Sequence, residues 1–591
     1  MKRCPECRRD YYDDTLLYCL DDGNALLEGP ASADEPATAI LSEPPAVAAG
    51  LTQPTKMFDE SATAILPGGA EAQPQGRLRN SPEKLRFWHR ERASVAEKRN
   101  RSANRAAKPM AALIAVLLIF AGAFFGYRYF SPARQIESIA VMPFVNESGN
   151  ADVEYLSDGM TETLINSLSQ LPNLSVKARS SVFRYKGKEI DTKKIASELN
   201  VQAILTGRVI QRGDQLTLNL ELIDAQTENT IWGDKYERKT ADIVSLQSEI
   251  ARDVSQKLKT KLSGADEAKL AKTYTKDVEA YQLYLKGRYH STKYTEEGFN
   301  KGIEYFNQAI ARDANYALAY DGLAYCYYSN WYISAQEGAK KGKAAAVKAL
   351  EIDPTLAEAH ASLGSIYAWF EYDWPAAERE FRQSIGLNPN HGLARAYYGI
   401  YLAAMGRFDE AIPEAKRAVE LEPLSAEFNT LLGIVYFYAK RYDEAANQFN
   451  KTIEIEPEFW WAHTFLARTY EMSGKLPAAI SQLEKAKLKQ GATIEVLATL
   501  GNAYAIAGKR DEALRIIKEI ELPEKDIQSD GYELAVVYAG LGDKDKAFEH
   551  LDKEFATGGW MLNFLKVDPY FETFRSDPRF ASLLKRVNLA E

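Results

Sequence analysis

Leu431-Leu-Gly-Ile-Val-Tyr-Phe-Tyr-Ala-Lys-Arg-Tyr-Asp-Glu-Ala445 decides how most of this chain folds. A small residue, Gly433, is followed by an aromatic at Tyr436, an acidic pair at Asp443-Glu444 and a small residue at Ala445. The small position recurs at Gly364, Gly399, Gly433, Ala467, Gly501 and Ala535, in steps of 35, 34, 34, 34 and 34. Its aromatic returns as Tyr367, Tyr436, Tyr470, Tyr504 and Tyr538, with Leu402 once in its place. The later alanine returns as Ala377, Ala411, Ala445, Ala479, Ala513 and Ala547, and Pro354, Pro389, Pro423 and Pro457 punctuate the ends. A fixed period of this length describes stacked helix pairs. Gly or Ala lets the two helices of a pair approach closely, and the aromatic is expected to fill the space beside it. Asp409-Glu410, Asp443-Glu444 and Asp511-Glu512 are expected to cap the second helices. One hairpin cannot bury its apolar face alone, so neighbours must stack into a superhelix.

This pattern resembles the tetratricopeptide repeat. Gly287 and Ala324 begin two longer repeats, which makes about eight over residues 277–556, and residues 557–591, with Asp568-Pro569 and Asp577-Pro578, are expected to seal the last repeat as a helical cap. The resemblance implies a concave groove lined by first helices. Counted from the small position, Tyr397, Phe437, Tyr438, Trp461, Phe465, Arg468, Met472 and Asn502 should face it. Aromatic residues, Arg and Met are what binding surfaces favour, although packing between repeats should claim about half of any such face. The Lys/Asn pattern with which some of these repeats hold a terminal carboxylate is absent at the matching places, so that ligand is not expected.

Residues 136–263 alternate between strand and helix patterns, which marks a mixed α/β domain. Ser138–Val145 reads as a buried strand, Tyr155–Leu171 as a helix, and Val201–Ile210 and Leu216–Asp224 as strands joined at Arg212-Gly-Asp214. Ile139-Ala-Val-Met-Pro-Phe, Tyr155-Leu-Ser-Asp-Gly-Met-Thr-Glu, Leu205-Thr-Gly-Arg-Val and Ile231-Trp-Gly-Asp-Lys-Tyr resemble the TolB-like amino-terminal (FlgO-like) domain. That resemblance implies a bacterial domain set before tetratricopeptide repeats, often downstream of a Ser/Thr kinase, a winged helix or a nucleotide cyclase. Asp158 and Glu162 lie one helical turn apart, and acids near a helix amino terminus are read as dipole partners rather than catalysts.

Met110-Ala-Ala-Leu-Ile-Ala-Val-Leu-Leu-Ile-Phe-Ala-Gly-Ala-Phe-Phe-Gly-Tyr127 carries no charge. As a helix it would reach about 27 Å, close to the thickness of a bilayer's hydrocarbon core, so residues 110–130 are expected to form a single transmembrane helix. Residues 90–109 hold seven Lys/Arg and residues 128–147 hold two, which places the amino terminus in the cytoplasm and the later domains outside. A bacterial inner membrane is the expected location.

Residues 1–28 are expected to form a zinc-ribbon-like knuckle. Cys4-Pro-Glu-Cys7 and Cys19-Leu-Asp-Asp22 share one spacing, so Cys4, Cys7, Cys19 and Asp22 could hold structural zinc through three thiolates and a carboxylate. Asp21 or water could serve in place of Asp22. Residues 29–109 are rich in Ala, Pro, Ser and Gln and read as a disordered linker, basic towards its end. Within it Asp34-Glu-Pro-Ala-Thr-Ala-Ile-Leu41 returns as Asp59-Glu-Ser-Ala-Thr-Ala-Ile-Leu66, which marks Thr38 and Thr63 as phosphorylation candidates and the tail as a docking peptide for a cytoplasmic signalling partner.

The expected fold class is therefore multidomain: a zinc-ribbon-like knuckle, one transmembrane helix, a mixed α/β domain, then an all-α superhelix of tetratricopeptide repeats. Residues 1–109 hold 16 Lys/Arg and 16 Asp/Glu, so the net charge of −9 lies wholly beyond them. An acidic outer part argues against nucleic acid as a partner. No phosphate loop, GxGxxG, HExxH or kinase catalytic loop occurs, and no catalytic residue is assigned. The expected function is a non-enzymatic membrane adaptor that binds protein or peptide partners in its repeat groove. The alternative is a sensory accessory to a separate Ser/Thr kinase or nucleotide cyclase.

Overall fold

The computed structural model describes residues 136–591, apart from 151–152, 190, 259–261, 331, 491–492, 522–530 and 591, together with three two-residue strands near the amino terminus. Those strands, Lys2–Arg3, Asp10–Tyr11 and Leu27–Glu28, form an antiparallel sheet with Lys2–Arg3 at its centre. Cys4, Cys7, Cys19, Asp22, Thr38, Thr63 and the expected span at 110–130 lie outside the described residues. Among the described residues no helix is long and apolar enough to cross a membrane, and no group of His, Cys, Asp and Glu could hold a metal ion.

Residues 136–270 form a mixed α/β unit. Its sheet runs Ser175–Val176, Ser138–Val141, Ala203–Arg212, Gln215–Asp224, Thr230–Lys239. The first three of these pair in parallel and the last three are antiparallel neighbours. Pro143 lacks a donor for the ladder, and the first strand stops before it and resumes as Val145–Asn146 on the same neighbour. Helices Glu154–Ser169 and Ile243–Lys257 pack together. Their Leu164, Leu168, Leu246 and Ile250 are buried with Ile139, Leu205 and Leu218 of the sheet. Asp191 caps helix Thr192–Leu199 by accepting from the Lys194 N–H, and Gly213 turns the hairpin at φ +62°. Two elements were not legible in the sequence: the turn Arg179–Tyr185, and a separate helix, Gly264–Leu270, that starts at a Ser263/Asp266 capping box.

Among the described residues from Val278 to Thr557 there are sixteen helices in eight consecutive pairs. Two expectations about their packing need correction. The space beside the small residue is not filled by the aromatic that follows it. A Cβ at Gly364 would lie 2.8 Å from the Phe381 ring, and one at Gly287 would lie 2.6 Å from the Phe306 ring. Both rings come from the second helix of the pair, so glycine here makes room across the hairpin. The tyrosine after the small residue instead lies beneath a cation from the start of a second helix: Arg441 over Tyr436, Lys475 over Tyr470, and Lys509 over Tyr504. Nor do the acidic pairs cap. Arg407 and Arg441 occupy the caps without a side-chain bond, and Asp409-Glu410 and Asp443-Glu444 sit in the first turn, where they favour the helix dipole. Cys326 is fully buried, its thiol pushed up to about 12 by desolvation, as a small core residue should be.

The last segment also departs from expectation. It does more than seal the final repeat. After a left-handed turn at Gly558 it runs through two 3-10 turns, Trp560–Phe564 and Pro569–Phe574, into helix Pro578–Arg586. On the way it meets much earlier repeats. The Tyr372 hydroxyl donates to the Gly559 carbonyl at 3.1 Å, the Trp374 indole to Val587 at 2.9 Å, and Asn588 to Tyr372 at 3.1 Å. Phe564 stacks on Tyr438 at 4.8 Å between ring centroids. The apolar residues of the segment find on the repeats' inner face the burial that a single terminal hairpin could not give them.

Candidate functional site: the repeat cavity

Three walls border a half-open cavity of about 1110 Å³. The floor is the inner face of the first helices, with Asp321, Tyr325 and Tyr328, then Glu358 and Trp369, then Tyr397, Glu427, Phe428, Trp461 and Phe465. The second wall is the α/β unit, through Glu162, Ile165 and Ser169 of its first long helix and the turn 178–184. The third is the returning carboxy-terminal segment, through Trp560, Met561 and Phe564. Trp560 is 44 % exposed and Tyr294 is 48 % exposed, so large aromatics stand where the cavity meets solvent.

The α/β unit is fixed to the repeats by polar contacts. The Asn390 amide donates to the carbonyls of Ser169, Leu171 and Leu174 at 3.0, 3.1 and 2.9 Å. Lys177 reaches the Glu420 carbonyl at 2.6 Å, and Arg184 reaches those of Leu424 and Ile455 at 2.8 and 2.7 Å. These acceptors lie where second helices end, where carbonyls lack partners within the helix. Glu162 pairs with Arg288 of the first repeat at 2.5 Å and with Arg179 of its own unit at 3.2 Å. Burial would raise this carboxyl, but the two guanidiniums outweigh it and hold it below the usual range. Asp158 holds Lys186 at 2.6 and 2.8 Å. Both acids are thus paired with cations, a role beyond the expected contact with a helix dipole.

The eight residues expected to face the groove divide three ways. Tyr397, Trp461 and Phe465 line the cavity. Phe437, Tyr438 and Arg468 lie on the same side but are buried. Arg468 donates to Asp568 at 2.8 Å and stands over the rings of Phe465 and Tyr570, and Phe564 covers Tyr438. Asn502 is buried between repeats and donates to the Val536 carbonyl at 2.6 Å, and Met472 packs half-buried against the core. These last two do not reach the cavity.

Three further carboxylates of the cavity were not singled out from the sequence. Asp321 accepts from the Ser362 hydroxyl at 2.8 Å, Glu422 from the Ser180 hydroxyl, and Glu427 from the Tyr397 hydroxyl at 3.1 Å. Burial raises all three, Asp321 and Glu422 to about 7, with Glu358 adding to the effect at Asp321 and Glu427 to that at Glu422. A signal did exist. Asp321 is the only charged residue of helix Ala317–Tyr328, and Glu427 the only one of helix Ala426–Tyr438. A lone acid in an apolar helix is an unusual thing to bury.

Comparison with known proteins agrees with the repeats and revises the reading of the domain before them. Residues 134–253 match the second domain of the HilA/YgeH-like transcriptional regulators, not the TolB-like domain that the motifs suggested. Among curated relatives, a putative adenylate cyclase 3 of Rhizobium meliloti is 30% identical over 236 residues, which cover 39% of this chain and 40% of that protein. The transcriptional regulator HilA of Salmonella typhimurium is 26% identical over 152 residues, 25% of this chain and 27% of its own. The chain thus spans less than half the length of the curated relatives it matches. Among solved structures, PilF of Pseudomonas aeruginosa is 21% identical, with a TM-score of 0.30, over 40% of this chain and 97% of its own. YrrB, described as a TPR protein with an unusual peptide-binding site, is 25% identical, with a TM-score of 0.26, over 33% and 97%. Two tetratricopeptide families match within residues 363–458 and 436–498. The carboxy-terminal region is an array of tetratricopeptide repeats, preceded by a mixed α/β region.

Proposed function

We propose that this chain is a non-enzymatic, single-span membrane adaptor that takes a protein or peptide partner into its repeat cavity. The observation that carries the reading is the cavity itself, with Trp369, Tyr397, Trp461 and Trp560 around one half-open space. Side chains of this kind anchor protein partners elsewhere. In this reading the stretch 110–130 spans the inner membrane, and the repeats stand outside the cytoplasm. Cys4, Cys7, Cys19 and Asp22 hold a structural zinc ion, and the tail with Thr38 and Thr63 contacts a cytoplasmic signalling partner. Nucleic acid is not the partner. A photoreactive phenylalanine analogue at Tyr397 should crosslink one discrete envelope protein in living cells, and the same analogue at exposed Ile506 should not. Equal labelling from both sites would oppose a groove partner. Protease added to intact cells should remove the repeats; protected repeats would oppose the orientation.

A second reading is a sensory accessory to a separate kinase or cyclase. The similarity to a protein named as a putative adenylate cyclase favours it. Recovery of a cyclase or kinase with the amino-terminal tail would support this reading, and envelope proteins alone would count against it.

A further inference from the structure

The cavity holds negative charge that the chain does not neutralise. Glu162, Asp321, Glu358, Glu422, Glu427 and Glu456 line it against three guanidiniums. Those three are engaged elsewhere: Arg179 and Arg288 on Glu162, and Arg184 on two backbone carbonyls. Asp321 and Glu422 are each only 8 % exposed, yet each has one hydroxyl on one oxygen. Among the described residues neither forms an ion pair, and no donor meets the second oxygen of either. Burying a carboxylate with so little compensation is costly. Burial pushes both groups up to about 7, so they are half-ionised near neutral pH and available to a cation. Around them stand Tyr325, Trp369, Tyr397 and Trp461, whose ring faces favour positive charge.

We propose that the cavity binds a cationic segment of a protein, with one arginine or lysine head neutralised by Asp321, another by the neighbouring Glu422 and Glu427, and their stems and neighbours lying against the aromatic walls. The inference rests on the reading of the groove as a protein-binding site and names the chemistry of the partner. The volume suits it. About 1110 Å³ slightly exceeds the roughly 300–1,000 Å³ of small-molecule pockets and leaves room for a few residues. Two basic side chains of the peptide could then be met by separate carboxylates.

The test is a fluorescence titration of the purified full-length chain at pH 8, read from the cavity tryptophans. The probes are a capped Gly-Arg-Leu-Arg-Gly peptide, the same peptide with citrulline for arginine, and spermidine. Citrulline keeps the shape and removes the charge. The arginine peptide should saturate, and the citrulline peptide should bind at least tenfold more weakly. Asp321→Asn combined with Glu422→Gln should weaken the arginine peptide at least tenfold and leave the citrulline peptide unchanged. Equal binding of the two peptides overturns the proposal, yet leaves the groove a protein site. No saturable binding by either peptide overturns the proposal as well. Spermidine binding without peptide binding overturns the protein source. If the double variant does not fold, the comparison of the two peptides on the unaltered chain decides.

Discussion

Replacing Asp568 with alanine should release the carboxy-terminal segment from the repeats. Its side chain is fully buried and accepts from the Arg468 guanidinium at 2.8 Å, from the Tyr532 hydroxyl, and from the Tyr570 N–H at 2.9 Å. Arg468 has a side-chain exposure of only 5 %. Truncating Asp568 therefore leaves a buried guanidinium without its counter-ion. Breaking such a pair from one side costs about 3–5 kcal/mol, most of it the desolvation of the charge left behind. If the loss falls on local opening of this segment, opening becomes more frequent by roughly two to three and a half powers of ten. Hydrogen exchange resolved by peptide should show it: amides of residues 560–586 exchange at least a hundredfold faster, while those of helix Ala317–Tyr328 keep their rate. Arg579→Ala is the control, because its pairs with Asp545 and Asp577 are at the surface. Exchange rates unchanged by Asp568→Ala would refute the idea that this ion pair pins the segment. Equal acceleration throughout the repeats would refute the idea that the segment opens locally.

Asn390→Ala removes the one amide that serves three carbonyls of the α/β unit, and should cost about 2–3 kcal/mol and accelerate exchange in residues 169–176; unchanged exchange there would contradict its role at this contact. Gly364→Val places new atoms against the Phe381 ring and should destabilise the array by about 2–3 kcal/mol, seen as a lower urea midpoint. Asp321 and Glu422 have folded values near 7, above their unfolded values of 3.8 and 4.5, so protonation favours the fold. Their stabilising contribution is full below about pH 4 and is lost as pH rises through 7. Asp321 faces Glu358, Arg288 and Ser362, and Glu422 faces Ser180 and Glu427, and none of these removes the trend. Thermal melts from pH 4 to 8 should therefore fall less steeply in the combined Asp321→Asn, Glu422→Gln variant than in the unaltered chain. Binding of the arginine peptide should weaken from pH 8 to pH 5.5, because protonated carboxyls no longer offer charge.

The repeat period was legible because it reflects local geometry repeated many times. Gly364, Gly399 and Gly433 stand where two helices must touch, and the structure puts them there. The partner of each glycine was not legible. Phe306 and Phe381 lie on the opposite helix, and sequence spacing alone favoured the nearer tyrosine. Three of the eight residues expected in the groove are covered for a similar reason. Arg468 and Tyr438 have the inward placement that the register implies, but Asp568 and Phe564, a hundred or more residues away, cover them. Nothing in a 34-residue period records where a terminal segment will return. The α/β pattern survived because alternation and turn chemistry fix its strands, whereas its docking through Asn390, Lys177 and Arg184 depends on helix ends brought together only by the superhelix.

The most direct measurement is a hydrogen-exchange footprint of the full-length chain with and without saturating arginine peptide. Protection should appear together in helix Glu154–Ser169, in first helices such as Ala357–Trp369 and Ala426–Tyr438, and in the turn Trp560–Phe564, because all three walls border one space. Protection confined to the second helices, or to one wall alone, would contradict a ligand cavity closed by the repeats, the α/β unit and the carboxy-terminal segment.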